Sequence, residues 1–266
     1  MTRCKRNTKL VLLDLDGTVY LGDRLLPGTR TFFARLADAG IDHAFLTNNS
    51  TIGPSDYLRK IRRLGLPVDL RSMITSAEAS VLMLQHHKVR LDRVYVLGTR
   101  KLARYLARLG VHAEGGRPEA VLVGFDTELT YAKLRTACDL LRAGARLFAT
   151  HPDLNCPTPD GPIPDTGSLL ACIQTSTGIR PTDIAGKPNR WVIRLAQQHF
   201  GLRPSQMAMI GDNPDTDVRM ALRFGLTSVW IAGNRRPRNK GVQADLAVSG
   251  IAELIQTPWF RRLTAQ

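Results

Sequence analysis

Residues 10–20, with the sequence LVLLDLDGTVY, decide the fold of this chain. The four residues Leu10–Leu13 form an apolar run that is typical of a strand buried on both faces of a parallel sheet. The run leads into two aspartates, although aspartate is a poor strand residue and costs free energy when it is buried without a partner. A turn at Asp16-Gly17 would account for one carboxylate, but the presence of two needs another reason.

The spacing of Asp14 and Asp16 supplies that reason. In an extended chain, residues i and i+2 point to the same side and lie about 6–7 Å apart. Both carboxylates are therefore expected to share one site at the carboxyl end of a strand, where open α/β sheets bind their ligands. Like charges at that separation repel, so the pair predicts a bound cation or a shared proton.

Composition places the chain among ordinary globular proteins. Its 266 residues are 43% hydrophobic and 23% charged, which is enough for one large domain or two modest ones. No apolar run approaches the ~18 residues of a membrane span, and the segment before Leu10 lacks the apolar core of a signal peptide. We therefore expect a cytoplasmic protein with no membrane partner.

The cysteines and the net charge point to no special partner. Cys4, Cys138, Cys156 and Cys172 include no CxxC pair, so we expect free thiols; His151 near Cys156 is only a weak zinc signal. The net charge of +14 could attract nucleic acid. Because most basic residues are scattered along apparent helix faces, with one dense loop at 234–240 and no interleaved aromatic residues, we favour solvated surfaces and expect no specific nucleic acid.

Strands and helices alternate along the chain, which predicts a parallel sheet with right-handed crossovers. Three predicted strands end in polar clusters: the first at Asp14, the second at Thr47-Asn48, and the third at Asp212. A further polar residue, Lys187, lies in a Gly-Lys-Pro loop just before a helix. Alone, the lysine could be an exposed loop residue, and the aspartates after the third strand could cap the next helix. Together, the clusters are suited to an oxyanion held beside a hard divalent cation.

The intervals between these clusters predict two domains. The interval from Asp14 to Thr47 fits one strand–helix–strand unit, and so does the interval from Lys187 to Asp212. The interval from Thr47 to Lys187 is far too long for a single crossover. We therefore expect a core domain made of residues 1–76 and 183–266, and an inserted domain of residues 77–182 that lies over the carboxyl edge of the core sheet.

These motifs, in this order, resemble those of the haloacid dehalogenase (HAD) superfamily of phosphotransferases. The forms DLDGTVY, LTNNS, GKP and GDNPDTD, with the long insert between the second and third, are similar to subclass IIA, the NagD/4-nitrophenylphosphatase type. The resemblance covers nearly the whole chain. It implies an α/β fold: a Rossmann-like, doubly wound parallel sheet core with an inserted α/β cap domain of the C2a type.

The resemblance also implies a role for each matching residue. Asp14 matches the nucleophile that becomes an aspartyl phosphate, and Asp16 matches the general acid/base. Mg²⁺ would be held by Asp14, by the main-chain carbonyl of Asp16 and by Asp212. Asp217 matches a supporting carboxylate. The phosphate-binding residues of the family are matched by Thr47, Asn48 and Lys187.

The insert contains a long loop, residues 151–168, that is rich in proline and aspartate. In this subclass the matching loop descends from the cap and contacts the leaving group, so we favour a specificity role over a merely rigid surface loop. Its candidate specificity residues are Asp153, Asn155 and Asp165. The acidic side chains of Asp153, Asp160 and Asp165 could accept hydrogen bonds from the hydroxyls of a sugar or nucleotide phosphate.

The resulting prediction is a Mg²⁺-dependent phosphatase that hydrolyses small phosphate monoesters, such as sugar phosphates, nucleoside monophosphates or related metabolites, through an aspartyl phosphate. Two alternatives stay open: a phosphotransferase or phosphomutase with the same intermediate, and a non-catalytic anion-binding protein on the same fold. The expected partner is a small phosphorylated metabolite, and a homodimer is an open alternative to a monomer.

Overall fold

A computed structural model describes residues 7–158, 160–233 and 242–265 of the chain. Cys4 and the basic loop at 234–240 lie outside the described residues. The other three cysteines, Cys138, Cys156 and Cys172, are free thiols, as expected. None of the helices in the described part of the chain combines the length and the apolar character that a membrane span requires.

The described residues contain fourteen β-strands. In chain order they are β1 (Leu10–Leu13), β2 (Tyr20–Leu21), β3 (Arg24–Leu25), β4 (Asp42–Thr47), β5 (Met73–Thr75), β6 (Val94–Leu97), β7 (Ala120–Val123), β8 (Arg146–Ala149), β9 (Asn155–Cys156), β10 (Ile163–Pro164), β11 (Asp183–Ile184), β12 (Met207–Gly211), β13 (Thr227–Ile231) and β14 (Leu246–Val248).

Ten α-helices lie between and after these strands in the described ranges. They are α1 (Thr29–Asp38), α2 (Pro54–Arg63), α3 (Ser76–His86), α4 (Arg100–Arg108), α5 (Tyr131–Arg142), α6 (Thr166–Thr177), α7 (Arg190–Phe200), α8 (Arg219–Phe224), α9 (Ile251–Leu254) and α10 (Pro258–Leu263). A single π-helical turn, Pro214–Val218, precedes α8.

The larger sheet has six strands in the order β14-β13-β12-β1-β4-β5. Strand β1 is parallel to both of its neighbours: Leu13 is opposite Ile210 of β12 and Phe45 of β4. All four residues of β1 are completely buried, which confirms the prediction of a strand covered on both faces. The register brings the carboxyl ends of β1 and β12 to the same edge of the sheet.

A second sheet has four strands in the order β11-β8-β7-β6, and each adjacent pair is parallel. The buried apolar side chains of β7 and β8 pack against α5 and α6 around Val121, Leu147 and Ile173. Strands β6, β7 and β8 of this sheet lie within the segment 77–182, which was predicted to be an inserted α/β domain. Strand β11 begins at Asp183, one residue beyond the predicted end of that domain.

The chain divides into two compact units. The first unit consists of residues 1–46, 58–74 and 196–266, and the second of residues 47–57 and 75–195. The first unit contains β1 and β12, and the second contains the four-stranded sheet. The segment 47–57 groups with the second unit, although the predicted domain boundary had placed it in the core. Side chains of this segment bond to residues of the second unit, Asn48 to Asp153 and Ser50 to Thr150. The predicted boundaries at 76/77 and 182/183 therefore stay a prediction.

Candidate active site

Three carboxylates meet at the end of the larger sheet. Asp14 directly follows β1, Asp212 directly follows β12, and Asp217 lies in the π-helical turn after β12. One oxygen from each carboxylate lies within 4.8 Å of the others. Asp14 and Asp212 are partly exposed, whereas Asp217 is buried. The carboxylate of Asp16 does not belong to this group. Like charges so close together repel, which a bound cation or a shared proton would relieve, and their oxygen donors suit a hard divalent cation.

Two glycines lie against these carboxylates, and because they have no side chain they leave room for two of them. A Cβ on Gly17 would lie 2.6 Å from Oδ2 of Asp212, and a Cβ on Gly211 would collide with the carboxylate of Asp217. Gly17 also has a φ of +83°, a conformation that favours glycine. The glycine after Asp16 is therefore needed both for the turn of the chain and for the position of Asp212.

Backbone and side-chain hydrogen bonds hold the segment after β12. The indole Nε1–H of Trp230, in β13, donates to the main-chain carbonyl of Asp212 at 3.1 Å. The main-chain N–H of Asn213 donates to Oδ2 of Asp217 at 3.1 Å. Nothing in the periodicity of β13 indicates that Trp230 reaches this segment, so its contact with Asp212 could not be predicted from the sequence.

Asp16 lies beside a buried tyrosine. The hydroxyl of Tyr20 is 3.5 Å from Oδ2 of Asp16, at the long limit for a hydrogen bond. The ammonium group of Lys60 lies 4.0 Å from the centre of the Tyr20 ring, in a cation–π contact. A positively charged lysine is thus held next to the aromatic ring that flanks Asp16.

A second polar group lies within the second unit and contains Asn48, Asp153 and Lys187. The side-chain amide of Asn48 donates to Oδ2 of Asp153 at 3.0 Å and to the main-chain carbonyl of Lys187 at 3.1 Å. Its Oδ1 accepts the main-chain N–H of Lys187 at 2.8 Å. Thr47, Asn48 and Lys187 are all buried. Asn48 thus joins two segments that were predicted to bind the same phosphate.

The 151–168 loop is held by a buried histidine–aspartate pair. Nε2 of His151 lies 2.9 Å from Oδ1 of Asp165, and the two residues are 0% and 3% exposed. Asp165 also accepts the main-chain N–H of Thr166 and caps α6. Asn155 is exposed in β9, and Asp153 is partly exposed. From the sequence, His151 was only a weak zinc signal, because no local pattern predicts a partner that lies fourteen residues away.

The packing of α4 also fixes the segment 47–57. The ring of Tyr105 lies so close to Gly53 that a Cβ there would be 3.0 Å from it. Burial, and then the neighbouring charge of Glu78, raise the pKa of Tyr105 well above its ordinary value, so that its hydroxyl remains a hydrogen-bond donor.

The three-carboxylate group lies in the first unit, and the Asn48 group lies in the second. The structure thus brings together Asp14, Asp212 and Asp217, and separately Asn48, Asp153 and Lys187. The convergence of the two groups on one phosphate stays a prediction.

Comparison with known proteins identifies the family. Residues 11–112 match a family model described as haloacid dehalogenase-like hydrolase, and residues 184–254 match one described as HAD-hydrolase-like. A dihydroxyacetone phosphatase of Corynebacterium glutamicum (strain R) is 34% identical over 220 residues, which cover 83% of this chain and 79% of the relative. This chain belongs to the haloacid dehalogenase-like hydrolases.

Further relatives of this HAD-like hydrolase support the same family. An acid sugar phosphatase of Staphylococcus aureus (strain USA300) is 32% identical over 224 residues, covering 84% of this chain and 86% of the relative. The crystal structure of a 4-nitrophenylphosphatase from Thermotoga maritima matches with a TM-score of 0.87 and 38% identity over 95% of this chain and 98% of that one. A putative NagD protein matches with a TM-score of 0.87 and 37% identity over 93% and 97%.

These matches confirm the resemblance to the NagD/4-nitrophenylphosphatase type and the expected HAD fold with a cap. The protein is a phosphoric monoester hydrolase of the HAD family. Members of this family generally use a divalent metal, and the three-carboxylate group could bind one.

Proposed function

We propose that this HAD-like hydrolase is a Mg²⁺-dependent phosphatase that hydrolyses small phosphate monoesters through an aspartyl phosphate on Asp14. The observation that carries the proposal is the meeting of Asp14, Asp212 and Asp217 at the carboxyl edge of the parallel sheet. A carboxylate can attack phosphorus only while it is ionised, and a site for a cation beside Asp14 satisfies that requirement.

The residues present fit a magnesium ion. The group offers only carboxylate oxygens, which are the donors that Mg²⁺ prefers, and Gly17 and Gly211 keep the space around Asp212 and Asp217 free of side-chain carbon. Asp14, Asp212 and the main-chain carbonyl of Asp16 would hold the ion, and Asp217 would support them. When bound, the ion neutralises negative charge on the phosphate oxygens and on Asp14.

In the first step an oxygen of Asp14 attacks phosphorus and the bond from phosphorus to the ester oxygen breaks. The leaving alkoxide takes a proton from the carboxyl group of Asp16, and the product alcohol departs. Asp16 must therefore begin this step protonated and end it ionised, which neighbouring carboxylates in different surroundings permit.

In the second step water attacks phosphorus of the aspartyl phosphate. The ionised Asp16 accepts a proton from that water, the bond between phosphorus and Asp14 breaks, and inorganic phosphate leaves. Asp14 is again a carboxylate and Asp16 is again protonated, so the cycle closes without a further reactant.

Thr47, Asn48 and Lys187 are proposed to bind the phosphoryl group. Lys187 is buried and would place its positive charge near the anion, and Thr47 can donate its hydroxyl. The two hydrogen bonds between Asn48 and the backbone of Lys187 support this role, since they hold the two motifs in one geometry.

The substrate proposal rests on the relatives and on the 151–168 loop. Relatives bear the names dihydroxyacetone phosphatase and acid sugar phosphatase, so we expect a small hydroxylated phosphate ester to be a better substrate than an aryl ester. In this proposal, residues 1–76 and 183–266 carry out the chemistry in the cytoplasm, whereas residues 77–182 select the leaving group. Asp153 and Asn155 would contact the leaving group, and Asp165 lies buried in the same loop.

The test is phosphate release by the purified full chain from a panel of sugar, triose, nucleoside and 4-nitrophenyl phosphates, with Mg²⁺, with excess chelator, and after Mg²⁺ is restored. Asp14→Asn should reduce the rate by at least about a thousandfold, because an amide does not attack phosphorus. Asp215→Asn is the matched control: this carboxylate lies in the same π-helical turn as Asp217 and pairs with Arg219, and its loss should leave the rate within about twofold.

Other outcomes would replace the proposal. Full activity in excess chelator would exclude the metal site. Transfer of phosphate to an added alcohol rather than to water would indicate a phosphotransferase. Phosphate binding without turnover of any ester would indicate an anion-binding protein.

A further inference from the structure

The substrate loop, residues 151–168, is closed at its base by hydrogen bonds. The main-chain N–H of Asp165 donates to the carbonyl of Leu154 at 2.9 Å, and that of Gly167 donates to the carbonyl of Asp153 at 2.8 Å. The side chains of His151 and Asp165 meet at 2.9 Å. Because both of these side chains are buried, water cannot replace their bond without cost. The loop therefore has one well-defined base.

The other ring nitrogen of His151 contacts a residue outside the loop. Its Nδ1 lies 2.8 Å from the hydroxyl of Thr150. The Thr150 hydroxyl lies 3.1 Å from the hydroxyl of Ser50, which in turn accepts the main-chain N–H of Phe125 at 3.0 Å. Thr150 and Ser50 are 0% exposed. An unbroken buried chain of hydrogen bonds thus joins Asp165 to Ser50, three residues after Thr47.

One assignment of protons satisfies every member of this chain. The carboxylate of Asp165 only accepts, so Nε2 of His151 carries a proton and donates it. Nδ1 then accepts the hydroxyl proton of Thr150, and the oxygen of Thr150 accepts the hydroxyl proton of Ser50. The oxygen of Ser50 accepts from Phe125. Each hydroxyl gives one proton and receives another, so removing any member leaves a buried partner without its bond.

The surroundings leave little room for this chain to relax. A Cβ on Gly186 would lie 2.5 Å from Oδ1 of Asn48 and 2.8 Å from Cβ of His151. The Asn48 amide also reaches Asp153 of the substrate loop at 3.0 Å. The substrate loop is therefore bonded twice to the segment after β4, once through Asn48 and once through His151.

We propose that His151 and Asp165 are positioning residues that couple the substrate loop to the phosphate-binding segment of residues 47–51. The contact of Nε2 with Asp165 holds the loop that selects the leaving group. The contact of Nδ1 with Thr150 and Ser50 holds the segment that contains Asn48. This inference rests on the proposed function, and it assigns Asp165 to holding the loop rather than to direct contact with substrate.

Two substitutions of His151 separate the two contacts. An asparagine places its amide near the position of Nδ1 and can keep the bond to Thr150, whereas a glutamine places its amide near the position of Nε2 and can keep the bond to Asp165. His151→Leu removes both. The full-length variants are assayed with Mg²⁺ for the inhibition constant of inorganic phosphate, and for kcat/KM with glycerol 3-phosphate and 4-nitrophenyl phosphate.

We expect His151→Leu to raise the phosphate inhibition constant at least tenfold and to change the ratio of the two kcat/KM values at least fivefold. His151→Asn should restore the inhibition constant to within threefold of wild type and leave the ratio altered, and His151→Gln should do the reverse. Ser50→Ala combined with His151→Leu should raise the inhibition constant by less than the product of the single effects, because both act through Thr150.

The control is the second histidine–aspartate pair of the same unit, in which Nε2 of His87 lies 3.0 Å from Asp183. His87→Leu should leave the inhibition constant and the substrate ratio within twofold. If His151→Leu lowers only the thermal midpoint and leaves both readouts within twofold, the pair is merely structural and the inference fails.

Equal effects of His151→Asn and His151→Gln on both readouts would overturn it as well. Calorimetric titration with inorganic phosphate measures the same anchoring without turnover. A wild type that binds phosphate and hydrolyses no ester would thus contradict the proposed function alone. An active wild type with unchanged variants would contradict this inference alone.

Discussion

Oδ2 of Asp212 lies 2.6 Å from the point where any side chain at position 17 would begin. The two residues come from the first and the last of the four motifs, and the absence of a Cβ at Gly17 lets the carboxylate of Asp212 approach the turn after Asp16. The glycine of the first motif is therefore required for Asp212 to reach its position in the three-carboxylate group, as well as for the turn.

Gly17→Ala should impair metal binding. The new methyl group would displace Asp212, so we expect the Mg²⁺ concentration for half-maximal activity to rise at least about tenfold. The strain of alanine at positive φ should also lower stability by about 1 kcal/mol. Manganese binding followed by electron paramagnetic resonance gives a readout that does not depend on turnover.

Gly22→Ala is the matched control for this variant. Gly22 has a φ of +57°, and nothing lies within 4 Å of its Cβ position, so it shares the backbone strain without the steric conflict. It should lose stability and keep its metal affinity within about twofold. Equal metal affinities in the two alanine variants would refute the steric explanation.

Trp230→Phe should weaken metal binding more than it affects chemistry. Phenylalanine fills most of the same space but cannot donate to the carbonyl of Asp212, a bond of 3.1 Å. The loss of one hydrogen bond costs about 0.5–1.5 kcal/mol, which corresponds to about a 2–12-fold loss of affinity. At saturating Mg²⁺, kcat should change less than about threefold. Trp259→Phe, which changes another buried indole of the first unit, should leave metal affinity unchanged; a similar loss there would point to a general packing effect.

Asp16→Asn should distinguish good leaving groups from poor ones. An amide cannot protonate the departing oxygen, so alkyl phosphates should lose at least about a hundredfold more rate than 4-nitrophenyl phosphate, whose phenolate leaves without a proton. Single-turnover release of 4-nitrophenolate and of glycerol from the matching esters measures the two losses. Equal losses would count against Asp16 as the acid.

His43 should make folding stability depend on pH. Its ring packs 4.9 Å from that of Phe33 and 5.6 Å from that of Phe45. Burial lowers its pKa below the ordinary value of 6.5, although Asp42, Asp69 and the carbonyl of Pro67 act in the opposite direction. The unfolded chain therefore takes up this proton first as pH falls. The contribution of neutral His43 to the free energy of unfolding is constant above pH ~7.5 and is lost progressively as pH falls below about 6.5.

His43→Phe should remove this part of the pH dependence. The check is the urea midpoint of wild type and variant between pH 5.0 and 8.0. The difference between the two urea midpoints should shift increasingly in favour of the variant as pH falls below ~6.5. A difference that is the same at every pH would show that protonation of His43 does not act on stability.

Much of the larger sheet could be predicted because local patterns specify it. The uninterrupted apolar run of β1 and the polar residues after β1, β4 and β12 are visible in the sequence, and parallel pairing then brings Asp14 and Asp212 to one edge. Strands β5, β9, β10 and β11, with two or three residues each, were missed because a periodic pattern cannot be recognised over so few positions.

The polar contacts could not be predicted in the same way. Periodicity reports which face of an element is buried, but it does not report which polar side chains meet. Asn48 and Lys187 are 139 residues apart, and the partner of His151 is determined by how the substrate loop closes. The indole of Trp230 looks like any apolar strand residue until its neighbour is known.

The hydrogen bonds of Ser50 and Asn48 also determine how this protein could be recombined with its relatives. A chimaera that exchanges residues 77–182 alone would keep Ser50 and Asn48 but replace their partners, Thr150 and Asp153. A transplant that includes residues 47–57 would carry these partners together. The part of the chain to exchange when substrate preference is transferred between relatives is therefore discontinuous in sequence. It includes residues 47–57, which the motif boundaries place in the core domain.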